Sequence, residues 1–159
     1  MKEDIKTYEK SSFSVIGKEG STRDGEGFIQ KLWQEANAGF AEIEHLVKRD
    51  ENGNSAGFWG AMSDFTRGFQ TWENDFTQGL YLAGAEVTDD AMPPAGWVKW
   101  TVPAYAYYMV KVEGEPGAVF AETLAYLAEN GHALAGAVHD FINPAENGQA
   151  YMFFPIQKL

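Results

Sequence analysis

The chain has 159 residues, a formal net charge of −11, 45% hydrophobic and 14% aromatic residues, and no cysteine. That apolar content supports a packed core and excludes a disordered chain, and the lack of cysteine excludes disulfides, thiol catalysis and thiolate-bound zinc. So acidic a surface repels phosphate backbones and anionic lipid heads, so neither nucleic acid nor a membrane is expected as a partner, whereas neutral or cationic aromatic compounds are compatible with it.

Residues 1–10 are charged and lack the apolar segment of a signal peptide, and no apolar run approaches the roughly 18 residues of a membrane span, so the cytoplasm is the expected location. Residues 13–16, Phe-Ser-Val-Ile, read as a strand, and the glycine-rich, charged stretch 17–27 as a flexible loop. Phe28, Leu32, Ala36, Phe40, Ile43 and Val47 then recur at spacings of three and four, one apolar face of a helix that Asn52-Gly53-Asn54 stops. Strands are expected over 56–64 and 80–87, separated by an aromatic loop holding Phe69, Trp72 and Phe76. Past Pro93-Pro94, strands follow over 97–102 and 105–112 with a corner at Pro103-Ala104. Pro116 suits a first helical turn, Val119, Phe120, Thr123, Leu124 and Leu127 form a second amphipathic face, and Asn130-Gly131 ends it. Strands over 134–142 and 151–156 close the chain.

Two halves emerge, about 1–90 and 91–159, within one domain spanning 1–159, each reading strand, helix, strand, strand. Gly60-Ala-Met-Ser-Asp64 after the first helix and Gly136-Ala-Val-His-Asp140 after the second share the form G-A-x-x-D, which supports a duplication. A duplicated βαββ unit is an α+β fold: a largely antiparallel curved sheet, both helices on one face, and a ligand cleft on the other.

Several segments, in order, resemble the GyrI-like small-molecule-binding family. They are Phe13-Ser-Val-Ile-Gly17, Tyr81-Leu-Ala-Gly-Ala-Glu86, Trp97-Val-Lys-Trp-Thr-Val-Pro-Ala104 with the strand after it, and Tyr151-Met-Phe-Phe-Pro-Ile156. The resemblance implies a ligand cleft between two βαββ halves. It extends to effector domains of AraC-type and MerR-type multidrug regulators, a gyrase inhibitor, and free-standing proteins, some of which hydrolyse cyclopropanoid genotoxins. The Trp59-Gly60, Trp97 and Trp100 pattern looks closest to that free-standing group. No helix-turn-helix segment precedes the first strand, so a free-standing domain is expected rather than a one-chain transcription factor. Many members carry a Glu-x-Tyr pair in the penultimate strand. The nearest positions here are Asp140 and Ile142, or His139 and Phe141 one residue earlier.

Glu86 interrupts a mostly apolar strand, and a buried carboxylate needs a partner or a raised pKa, which suits a general base or a counter-ion. The alternative is a strand-end carboxylate facing water. Asp64 and Asp140 either face one cleft or cap turns. Trp59, Trp97, Trp100, Tyr105, Tyr107 and Phe141, with His139, are the candidate ligand wall, since aromatic faces stack on flat ligands and attract cations. Strand alternation sets Tyr105 and Tyr107 on one face and Tyr108 on the other. His45, His132 and His139 lack metal-ligand spacing, the 17–27 stretch lacks both phosphate-loop patterns, and there is no G-x-Ser-x-G, so neither metal nor cofactor is expected.

Three functions stay open. One is sequestration of flat hydrophobic or cationic aromatic molecules by a monomer or homodimer. Another is hydrolysis of cyclopropanoids, with Glu86 or Asp140 as general base and a hydroxyl such as that of Tyr107 stabilising the phenolate that forms. The third is a protein–protein inhibitor of the gyrase-inhibitor type.

Overall fold

The computed structural model describes residues 5–159. Eight strands form one antiparallel sheet: β1 (Ile5–Lys10), β2 (Phe13–Ser21), β3 (Phe58–Ser63), β4 (Leu80–Val87), β5 (Val98–Val102), β6 (Tyr105–Lys111), β7 (His139–Asn143) and β8 (Gln149–Lys158). Helices α1 (Phe28–Gly39) and α3 (Pro116–Glu129) follow β2 and β6, and the single turn α2 (Glu73–Phe76) lies between β3 and β4. The fold is α+β, as the sequence pattern implies, and no helix among the described residues is long and apolar enough to cross a membrane.

The strand order is β1-β6-β8-β7-β3-β4-β2-β5. Read outward from the β7–β3 junction it is the same in both directions: a strand after the helix, its hairpin partner, the strand before the helix, then an edge strand. The expected strand-helix-strand-strand sets are present, but each is preceded by a strand that pairs with the opposite half, β1 on β6 and β5 on β2. The sequence pattern did not reveal β1. Its residues, Ile-Lys-Thr-Tyr-Glu-Lys, are mostly exposed, and a charged edge strand carries no apolar stripe because it faces water and must not recruit another chain.

This topology forces the sheet to curl. β1 and β2 stand six places apart in the order, yet only Ser11 and Ser12 join them. Six inter-strand spacings in a flat sheet span roughly 29 Å, whereas three Cα steps reach roughly 11 Å. The β5–β6 link through Pro103 and Ala104 imposes the same constraint from the other edge. The sheet therefore rolls into an open trough.

Cross-strand register assigns the faces. Val110, Met152, Asp140, Gly60 and Ala83 are successive partners in one row, so they share a face. Leu32 and Ala36 of α1 pack there on Tyr81 and Ala83, and Val119 and Leu127 of α3 on Val110, Met152 and Phe154. Full burial of such a side chain stabilises by roughly 1.5–3 kcal/mol. The helices thus cover the convex face. The next row, Tyr151, Phe141, Trp59, Gly84, Gly17 and Val98, lies on the concave face.

Three boundaries differ most from expectation. Strand β2 runs on to Ser21, through the stretch expected to be a loop, because Gly17 pairs with Gly84 where a side chain would not fit. The first helix stops at Gly39, and residues 40–46 continue its apolar face as two 3-10 turns that still bury Ile43 completely. Strand β7 begins only at His139; before it the Ala137 N–H is taken by the Phe69 carbonyl of the loop after β3. Where expectation and structure agree, the caps account for it: Pro116 opens α3, with the Glu115 carboxylate accepting the Gly117 and Ala118 N–H groups.

Candidate functional site

One end of the concave face is closed by the chain after β3. The Asp64 carboxylate accepts hydrogen bonds from the Ser63 and Thr66 hydroxyls and from the Gly68 and Gln70 N–H groups. Burial acts to raise its pKa, but these bonds together hold it below the ordinary value. The turn so fixed lays Phe69 edge-on against Trp100, ring centroids 5.8 Å apart, and its carbonyl accepts the Ala137 N–H at 2.8 Å. Trp100, Tyr105 and Tyr107 are therefore packed core beneath this loop, not walls of an open cleft.

The other end stays open. A cavity of about 260 Å³ lies among Tyr8, Lys10, Trp59, Met109, Phe141, Tyr151 and Phe153, with Asn143 and Glu146 supplying polar groups. Trp59 is its central ring, with centroids 4.5 Å from Phe141, 4.6 Å from Phe13 and 5.0 Å from Phe153. Its indole N–H donates to Glu86 Oε1 at 3.0 Å. The same carboxylate, only 2% exposed, holds the Lys10 ammonium 3.3 Å from each oxygen, with Lys48 at 3.9 Å from outside. The Lys10 ammonium also stands 4.6 Å over the Phe13 ring and 5.6 Å over that of Trp59.

The same combination of indole, carboxylate and cation recurs twice. Trp100 donates to Glu19 at 2.7 Å while the Arg67 guanidinium bonds that carboxylate. On the helix-covered face Trp97 donates to Glu42 at 3.3 Å, and Lys18 lies 4.1 Å over its ring.

Of the residues singled out from sequence, Trp59 and Phe141 line the cavity and Glu86 lies behind Lys10. Trp100, Tyr105, Tyr107 and His139 share the concave side but are buried. The Tyr107 hydroxyl has no hydrogen-bond partner among the described residues, and burial pushes its pKa far up. Trp97 and Asp140 stand on the opposite, helix-covered face. Glu86, Asp140 and Tyr107 therefore do not converge on one point, and Glu86 is already engaged by Lys10 and Trp59. Sequence reasoning missed Lys10, Tyr8, Met109 and Tyr151. The usable signal was the alternation Lys6, Tyr8, Lys10 near the start and Tyr151, Phe153 near the end, which sets each group on one face of its strand.

No known family profile matches the sequence, and no curated protein matches it. Solved structures do. SAV2435 bound to tetraphenylphosphonium superimposes with a TM-score of 0.65 at 14% identity, covering 96% of this chain and 93% of that one. The EcmrR C-terminal domain gives 0.64 at 12% identity, covering 98% of each chain. The chain shares their fold. EcmrR in its complex with DNA gives 0.65 at 11% identity, and there this chain spans 57% of EcmrR's length.

Within this SAV2435-like fold, His139 and Asp140 stabilise opposite faces of the sheet. Strand β3 pairs with β7 only over Phe58–Gly60, and beyond that His139 Nδ1 takes the place of a strand by accepting the Met62 N–H at 3.0 Å. That acceptor requires a neutral ring with its proton on Nε2. Burial lowers the His139 pKa from 6.5 to about 4. On the helix side Trp33 donates to the Tyr81 oxygen at 3.1 Å, and Tyr81 donates to Asp140 Oδ2 at 3.0 Å. Burial raises the Asp140 pKa from 3.8 to about 6, with the Tyr81 bond opposing.

The two groups oppose each other on acidification. Between pH 6.5 and 4 the unfolded histidine takes a proton that the folded one refuses, so stability present above 6.5 is lost as pH falls, by about 3 kcal/mol in full. Folded Asp140 instead holds a proton that the unfolded aspartate has released, so its contribution grows as pH falls from 6 through 3.8. Asp140→Asn, which keeps an acceptor for Tyr81, should unmask the histidine: its unfolding free energy should fall distinctly more steeply between pH 6.5 and 4 than that of the wild type in urea melts. Equal slopes would refute the opposition.

Proposed function

We propose that the chain is a small-molecule-binding domain of the GyrI-like kind, taking hydrophobic aromatic compounds into the cavity around Trp59. The observation that carries this reading is the open, ring-lined cavity on the concave face, in a fold that in SAV2435 is seen with tetraphenylphosphonium. The sequence motifs from Phe13 to Ile156 point the same way. Aromatic walls bury apolar ligand surface and stack on planar groups, while Asn143 and Glu146 offer an orienting hydrogen bond. Binding without turnover is the outcome this geometry favours, because the buried carboxylate beside the cavity is already paired with the Lys10 ammonium and the Trp59 indole N–H.

Titration with a panel of neutral and cationic aromatic compounds should quench tryptophan fluorescence saturably, since Trp59 borders the cavity. Tyr151→Ala should weaken binding about 10-fold, within the range for truncating a stacking ring. Tyr8, 44% exposed, should behave likewise on replacement by alanine, with the melting temperature barely changed. A panel without saturable quenching overturns the reading.

A further inference from the structure

We propose that the place now filled by the Lys10 ammonium is an ammonium subsite of the cleft, and that cationic ligands enter it by displacing Lys10 from Glu86. This rests on the binding reading above and specifies how one class of ligand is recognised. The seat has the parts that alkylammonium recognition requires. Two ring faces, Phe13 and Trp59, lie 4.6 and 5.6 Å from the charge. A carboxylate that is only 2% exposed stands behind them, one oxygen fixed by the Trp59 indole N–H. The chain has placed its own cation where a ligand's would go.

Three features make Lys10 displaceable rather than a permanent strut. It is the last residue of β1, an edge strand whose side chains mostly face water. Lys10 lines the cavity and its side chain keeps 18% of its exposure, which gives it a path to solvent without moving the backbone. Both contacts to Glu86 are 3.3 Å, longer than the roughly 2.7–2.9 Å of a strong charge-assisted bond. The four-carbon stem can swing its charge into water at the cost of a rotamer change.

A tethered competitor sets selectivity. A cationic ligand must replace an ammonium that is held at high local concentration, whereas a neutral ligand filling the rest of the cavity meets no such competition. Wild-type protein therefore discriminates against cations that its architecture could otherwise hold tightly.

The test compares 4-phenylbutylammonium with neutral 4-phenylbutanol, read by tryptophan fluorescence on wild-type protein and on Lys10→Met, which keeps the stem and removes the charge. The ammonium should bind Lys10→Met roughly 10- to 100-fold more tightly than wild type, as expected for an uncontested, partly buried charge pair. The alcohol, which carries no charge for Glu86, should gain at least about tenfold less than the ammonium. Adding Glu86→Gln to Lys10→Met should abolish the gain. Equal changes for both probes, or a gain that survives loss of Glu86, overturn the subsite. If neither probe binds either protein, the cavity reading itself fails, which is a different result. A second measurement tolerates a weakened fold: the melting temperature of Lys10→Ala should rise with n-butylammonium and not with n-butanol, and an equal response overturns the proposal.

Discussion

Replacing Trp59 by alanine should remove about 3–5 kcal/mol of folding stability, the usual cost of deleting a buried aromatic ring. For a chain of this length the melting temperature should fall by roughly 10 °C or more. The ring is 1% exposed and sits in the middle of the concave row, touching Phe13, Phe141 and Phe153. Its partners come from strands of both halves, so its loss opens a void where the halves meet. The indole N–H adds a second contribution by fixing a carboxylate that is almost fully buried. Trp59→Phe separates the two. It keeps most of the apolar contact and removes the donor, so it should cost about 1–3 kcal/mol, the range for leaving a buried charged acceptor short of a partner. Urea melts of both variants give the comparison. A Trp59→Ala protein within a degree or two of wild type would show that the concave core is not organised around this ring.

Local pattern made much of this core legible. Leu80–Val87 is a strand over the interval that its apolar run predicts, and alternation places Tyr105 and Tyr107 on one face and Tyr108 on the other. Glu86 stood out because a lone carboxylate among apolar residues must have a partner. The partner itself was not legible. Lys10 lies 76 residues earlier, in a strand whose exposed charges look like a solvated terminus. Nor does periodicity carry pairing. That β1 joins β6 and β5 joins β2 follows from the curl of the whole sheet, which no window of sequence contains. The division of the aromatic residues into filled core and open cavity was equally hidden. It depends on the Asp64 turn, which drops Phe69 onto Trp100 and leaves the Trp59 end free. The sequence allowed Asp64 to be a turn organiser or a cleft residue, and only its hydrogen bonds decide for the turn.

Gly84→Ala should also cost about 3 kcal/mol, near the upper end for an overpacked site, and lower the melting temperature by roughly 10 °C. The sign is the informative part. In an ordinary strand, alanine for glycine stabilises by about 0.5–1 kcal/mol, because it restricts the unfolded chain and adds a group to pack. Here Gly84 faces Gly17 across the β2–β4 ladder and Trp59 across the β3–β4 ladder. A Cβ at residue 84 would lie 2.3 Å from the Ile16 carbonyl oxygen and 2.7 Å from the Gly17 Cα. These are backbone atoms, which cannot rotate away as a flexible side chain can. Relief requires β2 and β4 to separate, and eight registered pairs from Ser14 to Ser21 hold them together. The crowding follows from the topology: on the inner side of a tightly curled sheet the strands leave less room above the backbone than on the outer side. Gly17→Ala meets the Ala83 carbonyl oxygen at 2.2 Å and should be destabilising for the same reason. The two substitutions share one strain, so the double variant should lose less than the sum of the singles. A neutral or stabilising Gly84→Ala, or full additivity with Gly17→Ala, would mean that the strands are not pressed together at the floor of the trough.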